Sequence, residues 1–143
     1  MLISTKGRYA LRVLIDMAEH QVAGYVPLKE IAQRQDISEK YLESIIKILV
    51  KAGVLDGLRG KGGGYRLSRS PDQVSVDEIL RLPEGSLSPV SCLEQGSAPC
   101  DRMSCCRTLN LWQGLDKVIH DYLRQYTISD LMQIDEPGND YII

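Results

Sequence analysis

Apolar and polar residues follow a helical spacing through the first third of the chain. Between Ser4 and His20, four apolar residues fall on one face, as in an amphipathic helix: Leu11, Leu14, Ile15 and Ala18. A short second helix is predicted after Pro27, and a third runs from its N-cap, Ser38, to about Ala52. Its buried stripe is Leu42, Ile45, Ile46 and Leu49. The short connection between the second and third helices predicts a helix-turn-helix, in which the third helix enters a DNA major groove.

The next segment has the pattern of a β-hairpin. Residues 54–69 read as a strand, a tip with four glycines between Gly60 and Gly64, and a second strand. Four cations surround the tip: Arg59, Lys61, Arg66 and Arg69. Glycines allow the backbone to approach another surface closely, so the pattern favours a DNA-binding wing over a plain hairpin turn. A nucleotide-binding loop is disfavoured because the glycine spacing does not match and no helix follows.

The second half of the chain is predicted to contain a loop and a long helix. Ser75 and Glu78 form a capping box for a short helix, and no packed element is readable in residues 83–106. The long helix after Cys106 has an apolar and aromatic stripe: Trp112, Leu115, Ile119, Tyr122 and Tyr126, widened by Leu111 and Val118. This stripe favours packing on both the chain's own domain and a partner helix, and burial within one chain is the alternative.

These elements predict a mainly α fold with a small β-hairpin wing. We expect a winged helix-turn-helix domain at 1–82, a cysteine-rich loop at 83–107, a dimerisation helix with a short following helix at 108–134, and a flexible tail at 135–143. A homodimer would present paired recognition helices to a pseudo-palindromic site in double-stranded DNA.

Charge is distributed unevenly along the 143 residues. Residues 1–70 contain 12 Lys and Arg against 7 Asp and Glu, whereas residues 71–143 contain 5 against 12. A basic first half suits a polyanionic ligand, although solvated surface charge is the alternative. Apolar runs are too short for a membrane span and no secretory signal is readable, so a cytoplasmic location is expected.

All four cysteines lie in one segment, between Cys92 and Cys106. In a reducing compartment this clustering favours thiolate chemistry over disulfides. Three alternatives remain open: a structural zinc site, a redox switch through the adjacent Cys105 and Cys106, and cysteines without a function. His20 and His120 fall in helical patterns and are interpreted as ordinary surface or core residues. No nucleophile with a nearby base and no paired acids can be assembled, so an enzyme is not expected.

Several segments resemble the winged-helix family that contains the regulators IscR, NsrR and CymR. They are STKGRYAL, VPLKEIAQRQDIS, YLE, RGKGGGYRL, LW and TISDL. The resemblance implies DNA binding through a defined set of residues. Those expected at the major groove are Ser38, Lys40, Tyr41, Glu43 and Ser44. Arg59 is expected in the minor groove, with Lys61 and Gly62 beside it in the wing, and Thr5 and Lys6 at the phosphate backbone.

The resemblance also implies an iron-sulfur cluster held by Cys92, Cys100 and Cys106. Thiolates are soft donors suited to such clusters. The chain departs from the family at the fourth ligand. Leu109 stands where some members have a histidine, and Arg8 stands where others have an acidic residue. Cys105 is the favoured fourth ligand, with Thr108 or a small molecule as alternatives.

The resemblance thus predicts a regulator, expected to be a repressor, of iron-sulfur assembly genes that senses through a [2Fe-2S] cluster. The end of the chain suggests another function, because Asn-Asp-Tyr-Ile-Ile resembles the C-termini of serine acetyltransferases, which insert a terminal isoleucine into cysteine synthase. The alternative prediction is a cysteine-metabolism repressor controlled by docking of Ile143 on cysteine synthase. A disordered tail is the simpler interpretation.

Overall fold

The computed structural model describes residues 2–21 and 24–132. Within these residues, six helices and one hairpin follow in the order α1 (Thr5–His20), α2 (Leu28–Gln35), α3 (Glu39–Lys51), β1 (Leu55–Leu58), β2 (Gly64–Leu67), α4 (Val76–Glu84), α5 (Leu109–Arg124) and α6 (Ile128–Leu131). Short 3₁₀ turns lie at Pro71–Gln73, Ser91–Leu93 and Met103–Cys105. The predicted fold class, mainly α with a two-stranded hairpin, is confirmed.

The main core lies between α1, α2, α3 and the hairpin. Helix α3 buries the four predicted residues, Leu42, Ile45, Ile46 and Leu49. The predicted face of α1 is displaced from the observed one. Leu14 is buried together with Ala10, Val13 and Met17, whereas Leu11, Ile15 and Ala18 are only half-buried. The displacement arises because α1 packs against four other helices, α2, α3, α4 and α6, so its apolar arc is wider than one stripe.

Local signals at the helix ends define the helix-turn-helix. Helix α2 ends at Gln35, and its C-cap, Asp36, adopts a left-handed conformation with φ of 53°. Asp is among the non-glycine residues that accept this conformation most readily. Two residues later, the Ser38 hydroxyl oxygen accepts a hydrogen bond from the backbone N–H of Tyr41 (3.2 Å) and caps α3. The turn between α2 and α3 is therefore short, as predicted.

The hairpin is antiparallel, with Leu55 opposite Leu67 and Leu58 opposite Gly64. Its second strand also contacts the segment before α2. The backbone N–H of Val26 donates to the Tyr65 carbonyl (2.8 Å), and the N–H of Tyr65 donates to the Val26 carbonyl (2.9 Å). This bridge fixes the hairpin beside the helix-turn-helix.

A second apolar cluster joins α4 to α5. Val76, Leu80 and Leu87 are buried there, and Ile119 and Leu123 of α5 pack against them. The predicted capping box is only half formed. The Ser75 side chain accepts from the Glu78 N–H, but the Glu78 carboxylate binds Arg69 (2.5 Å) instead of the Ser75 backbone. No helix in the described part of the chain is long and apolar enough to cross a membrane.

Candidate DNA interface and cysteine loop

The residues predicted for the major groove lie at the N-terminal end of α3. Ser38, Lys40 and Glu43 are exposed, whereas Tyr41 and Ser44 are half-buried. The Ser44 hydroxyl donates to the Tyr41 carbonyl (2.6 Å), which stiffens this first turn. Glu43 lies 3.4 Å from the Lys47 ammonium, so its negative charge has a partner on the same helix.

The start of α1 lies against the end of α4. Both the backbone N–H and the hydroxyl of Ser4 donate to Glu84 Oε1, at 2.8 and 2.6 Å. Thr5 is exposed and accepts a hydrogen bond from Arg8, and Lys6 is half-buried. The contact with Glu84 connects distant parts of the chain, and no local pattern in the sequence indicates it.

The predicted wing residues Arg59, Lys61 and Gly62 are all exposed at the tip of the hairpin. A groove of 810 Å³ separates the hairpin from α3. Lys47 and Lys51 of α3 and Arg59 of the hairpin line it together with Glu43, so its cations outnumber its one carboxylate. The recognition helix, α3, and the wing therefore lie on the two sides of one positively charged groove. A groove of this charge suits a polyanionic ligand such as DNA.

Two of the wing glycines are required by close backbone contacts. Gly64 has φ of 149°, and a Cβ atom there would overlap the carbonyl oxygen of Val26. A Cβ at Gly63 would overlap the carbonyl oxygen of Leu58 and lie 2.8 Å from that of Gly60. The glycine-rich sequence thus allows the tip to fold back tightly and to bridge Val26.

A buried carboxylate holds α2 to α1. Asp16 is 3% exposed and accepts hydrogen bonds from Arg34 (2.8 to 3.1 Å) and from Gln35 (2.9 Å). Burial acts to raise the pKa of Asp16, but these bonds and the Arg34 charge outweigh it and hold the pKa below its usual value. Sequence reasoning missed this site, although an acidic residue between the apolar Ile15 and Met17 was a signal.

A second buried carboxylate connects α4 to α5. Asp77 is 4% exposed, and its Oδ1 lies 2.6 Å from His120 Nδ1. The Arg81 guanidinium lies 2.9 Å from Asp77 Oδ2, and that of Arg124 lies 3.6 Å from it. His120 is thus largely buried, as a core residue would be, and its ring forms a polar link between α4 and the long helix.

The four cysteines lie on the loop between these two helices. Cys92 and Cys106 are half-buried, Cys100 and Cys105 are exposed, and all four are free thiols. The Cys106 sulfur lies 3.5 Å from the Thr108 hydroxyl, and hydrogen bonding to Thr108 lowers the pKa of this thiol. Within residues 2–21 and 24–132, no three His, Cys, Asp or Glu side chains are arranged to hold a metal. The donor set of free thiols on one loop fits an iron-sulfur cluster by its chemistry, and binding would require the loop to bring those thiols together.

Helix α5 has two different faces. Ile119 and Leu123 pack inward, and Trp112 is half-buried. The adjacent face exposes a row of apolar and aromatic side chains: Leu111 (61%), Leu115 (40%), Val118 (63%), Tyr122 (55%) and, just beyond the helix, Tyr126 (38%). We call this row the α5 stripe. The predicted stripe combined members of both faces, because helical spacing alone does not separate two adjacent apolar faces.

These features together define a winged-helix DNA-binding transcription regulator. The family model for Rrf2, an iron-dependent transcriptional regulator, matches residues 3–134. The chain therefore belongs to the Rrf2 family, and its resemblance to the group of IscR and CymR is confirmed. Its relatives are named as transcriptional regulators and not as enzymes.

Curated relatives match along most of their length. The chain is 38% identical to protein rrf2 of Nitratidesulfovibrio vulgaris over 133 residues, which cover 93% of this chain and 88% of the relative. It is 36% identical to the regulator IscR of Vibrio campbellii over 136 residues, covering 95% and 80% of the two chains.

Two solved structures show the same fold. CymR of B. subtilis, titled the global cysteine regulator, superposes with a TM-score of 0.75 at 35% identity, covering 95% of this chain and 99% of CymR. IscR of T. potens superposes with a TM-score of 0.74 at 36% identity, covering 97% of this chain and 91% of IscR.

The predicted tail at 135–143, with Ile143, lies outside the described residues.

Proposed function

We propose that this protein is a homodimeric regulator of iron-sulfur assembly genes that binds a pseudo-palindromic DNA operator and senses through a [2Fe-2S] cluster. One observation supports this assignment above others. A chain of the Rrf2 family places four free thiols on a loop between its DNA-binding domain and its long helix. The relatives named IscR support the choice of iron-sulfur sensing.

DNA is bound by the first turns of α3, by the wing and by the start of α1. Tyr41, Ser44 and Lys40 offer donors and acceptors to base edges in the major groove, and Glu43 accepts from a cytosine amino group. Arg59 enters the adjacent minor groove, where a narrow A·T-rich segment attracts a guanidinium. The DNA phosphates are contacted by Lys61, Gly62, Thr5 and Lys6. These contacts position the protein on the duplex and do not distinguish one base sequence from another.

A second copy of the chain covers the α5 stripe. The five exposed side chains recur at intervals of three and four residues, which is the spacing of a helix seam. Contiguous apolar surface of this kind marks an interaction site in a water-soluble protein. A twofold pair of α5 helices presents two recognition helices to the two halves of one operator.

Cys92, Cys100 and Cys106 hold the cluster, with Cys105 as the candidate fourth ligand. When bound, the cluster supplies a redox-sensitive group whose presence reports iron and oxidant levels. The thiols lie on the segment that connects α4 to α5. Ordering of this loop around a metal therefore fixes the position of the winged domain relative to the dimer helix. The operator affinity of the dimer changes with that position.

The DNA-binding part is tested with the duplex that the wild-type protein selects from a random library. Arg59→Ala is expected to weaken binding to this duplex by about 1 to 3 kcal/mol, as for loss of a base-reading arginine. Lys117→Ala, which removes an exposed cation of α5, is the matched control and is expected to bind like wild type. Equal affinity of Arg59→Ala and wild type contradicts the assignment of the wing.

A second candidate function is regulation of cysteine metabolism, favoured by the likeness to CymR of B. subtilis. In this alternative, Ile143 docks on cysteine synthase. Calorimetry with a peptide ending in Asn-Asp-Tyr-Ile-Ile and cysteine synthase tests it. Heat of binding that disappears when the terminal Ile is replaced by Asp supports the alternative, and no heat at high micromolar peptide excludes it.

A further inference from the structure

The aromatic ring of Tyr41 on the recognition helix is held from outside that helix. Its centroid lies 5.9 Å from that of Tyr9 on α1, and the two planes are inclined by 82°. This is an edge-to-face pair, one of the geometries that aromatic rings prefer. Tyr9 and Tyr41 both pack at the edge of the main core and are only half-buried, so the pair reaches the surface beside the first turn of α3.

Tyr9 is itself fixed by a cation. The Arg12 guanidinium lies over the Tyr9 ring, 4.7 Å from its centroid. The same guanidinium donates to the backbone carbonyl of Gln35 (2.5 Å) and to its side-chain oxygen (3.2 Å), at the end of α2. Gln35 in turn donates to the buried Asp16. A continuous set of contacts therefore runs from the buried carboxylate through the end of α2 to the Tyr9 ring.

The backbone of Tyr41 is restrained as well. Its N–H donates to Ser38 and its carbonyl accepts from Ser44. Because these two bonds hold the backbone of Tyr41, only its side-chain torsion angles are still free to change. The Tyr9 ring restricts those torsion angles.

We propose that Tyr9 is a positioning residue for sequence recognition, which sets the direction of the Tyr41 side chain before DNA binds. This inference rests on the proposed role of Tyr41 at the major groove. A side chain that is already oriented loses less rotamer entropy when it binds DNA. This lower entropy cost increases the affinity only for a sequence in which the Tyr41 hydroxyl meets a matching base. Tyr9 therefore contributes to discrimination between sequences and not to general attraction to DNA.

The experiment measures binding of the full chain to the selected duplex and to a scrambled duplex of the same length. Tyr9→Leu keeps an apolar side chain but removes the ring. It is expected to weaken binding to the selected duplex about two- to tenfold, the factor that one aromatic pair supplies. Binding to the scrambled duplex and the dependence of affinity on salt stay unchanged, because no phosphate contact is lost. Tyr9→Phe, which keeps the ring, is expected to bind like wild type.

A double-mutant cycle with Tyr41→Leu separates positioning from a structural role. If Tyr9 acts through Tyr41, Tyr9→Leu has no further effect in a protein that already has Tyr41→Leu. Fully additive effects, or wild-type binding by Tyr9→Leu, overturn the inference. A loss in Tyr9→Phe with a shallower salt dependence also overturns it, because the phenol would then contact a phosphate.

Folding and the proposed function are checked in the same series. Circular dichroism verifies that each variant is folded, and Tyr9→Met replaces Tyr9→Leu if the latter does not fold. If Tyr41→Leu binds the selected duplex like wild type, the proposed role of the recognition helix fails and this inference fails with it. If Tyr41→Leu weakens binding but Tyr9→Leu does not, only this inference fails.

Discussion

Asp16 on α1 and Arg34 on α2 form a bidentate ion pair, with Arg34 Nη2 2.8 Å from Asp16 Oδ1 and Nε 3.0 Å from Oδ2. The carboxylate is buried, whereas the Arg34 side chain is 30% exposed. This pair and the Gln35 amide attach the first helix of the helix-turn-helix to α1. The orientation of the recognition helix therefore depends on a charged group in the interior.

Asp16→Asn is expected to lower the free energy of unfolding by about 1 to 3 kcal/mol at neutral pH, as for loss of hydrogen bonds to a charged group. The pKa of Asp16 is lowered in the folded state. Its contribution is therefore fully present above the unfolded pKa, about 3.9, and is lost as pH falls through the lower folded pKa. Urea unfolding from pH 7 to pH 3 measures the difference in the free energy of unfolding between the variant and the wild-type protein. A difference that stays constant or grows in acid contradicts this account.

Gly64→Ala is expected to displace the wing. The substitution adds strain at φ of 149° and forces the added methyl group against the Val26 carbonyl, so the bridge between Val26 and Tyr65 is broken. The melting temperature and the affinity for the selected duplex should both fall. Gly60→Ala is the matched control, since it adds strain at φ of 94° with no atom within 4 Å. Equal losses in the two variants would show that the contact with Val26 does not matter.

Val118→Asp is expected to convert the dimer to monomers. The substitution places a charge in the middle of the α5 stripe, where a partner helix would have to desolvate it. Sedimentation measures the mass, and affinity for the palindromic duplex should fall with it. Asn110→Asp adds the same charge to α5 away from the stripe and should remain dimeric. A wild-type protein that is monomeric at micromolar concentration refutes the proposed interface.

Much of the fold is predictable from local patterns. The stripe of α3, the cap at Ser38 and the glycine-rich hairpin each follow from a few neighbouring residues, and the structure contains all three. The face of α1 was predicted only in part: the four predicted residues pack on the core, but the buried Ala10, Val13 and Met17 were missed, because their burial depends on which helices pack around α1. Glu78 was assigned to a capping box, but Arg69, nine residues earlier in the chain, binds its carboxylate instead.

The candidate sites are predictable to different extents. The residues predicted to contact DNA lie in the first turns of α3, at the tip of the hairpin and at the start of α1, and their roles stay a prediction. Three contacts could not be predicted, because each joins residues far apart in sequence. They are Asp16 with Arg34, Asp77 with His120, and Ser4 with Glu84. The fourth ligand of the proposed cluster stays a prediction, because Leu109 and Arg8 stand at the two positions where the family resemblance implies a histidine or an acidic ligand.

Iron content and the absorption spectrum after anaerobic purification and reconstitution test the proposed sensor most directly. The wild-type protein is expected to hold one [2Fe-2S] cluster per chain, with matching iron and sulfide and no zinc.

Cys92→Ala, Cys100→Ala and Cys106→Ala are each expected to lose the cluster and remain folded, because the apolar core lies elsewhere. Ser104→Ala, in the same loop, is the control and should keep it. Retention of the wild-type spectrum by Cys105→Ala would assign the fourth position to another group. A wild-type protein without iron, or one whose iron is unchanged in all three cysteine variants, contradicts the cluster.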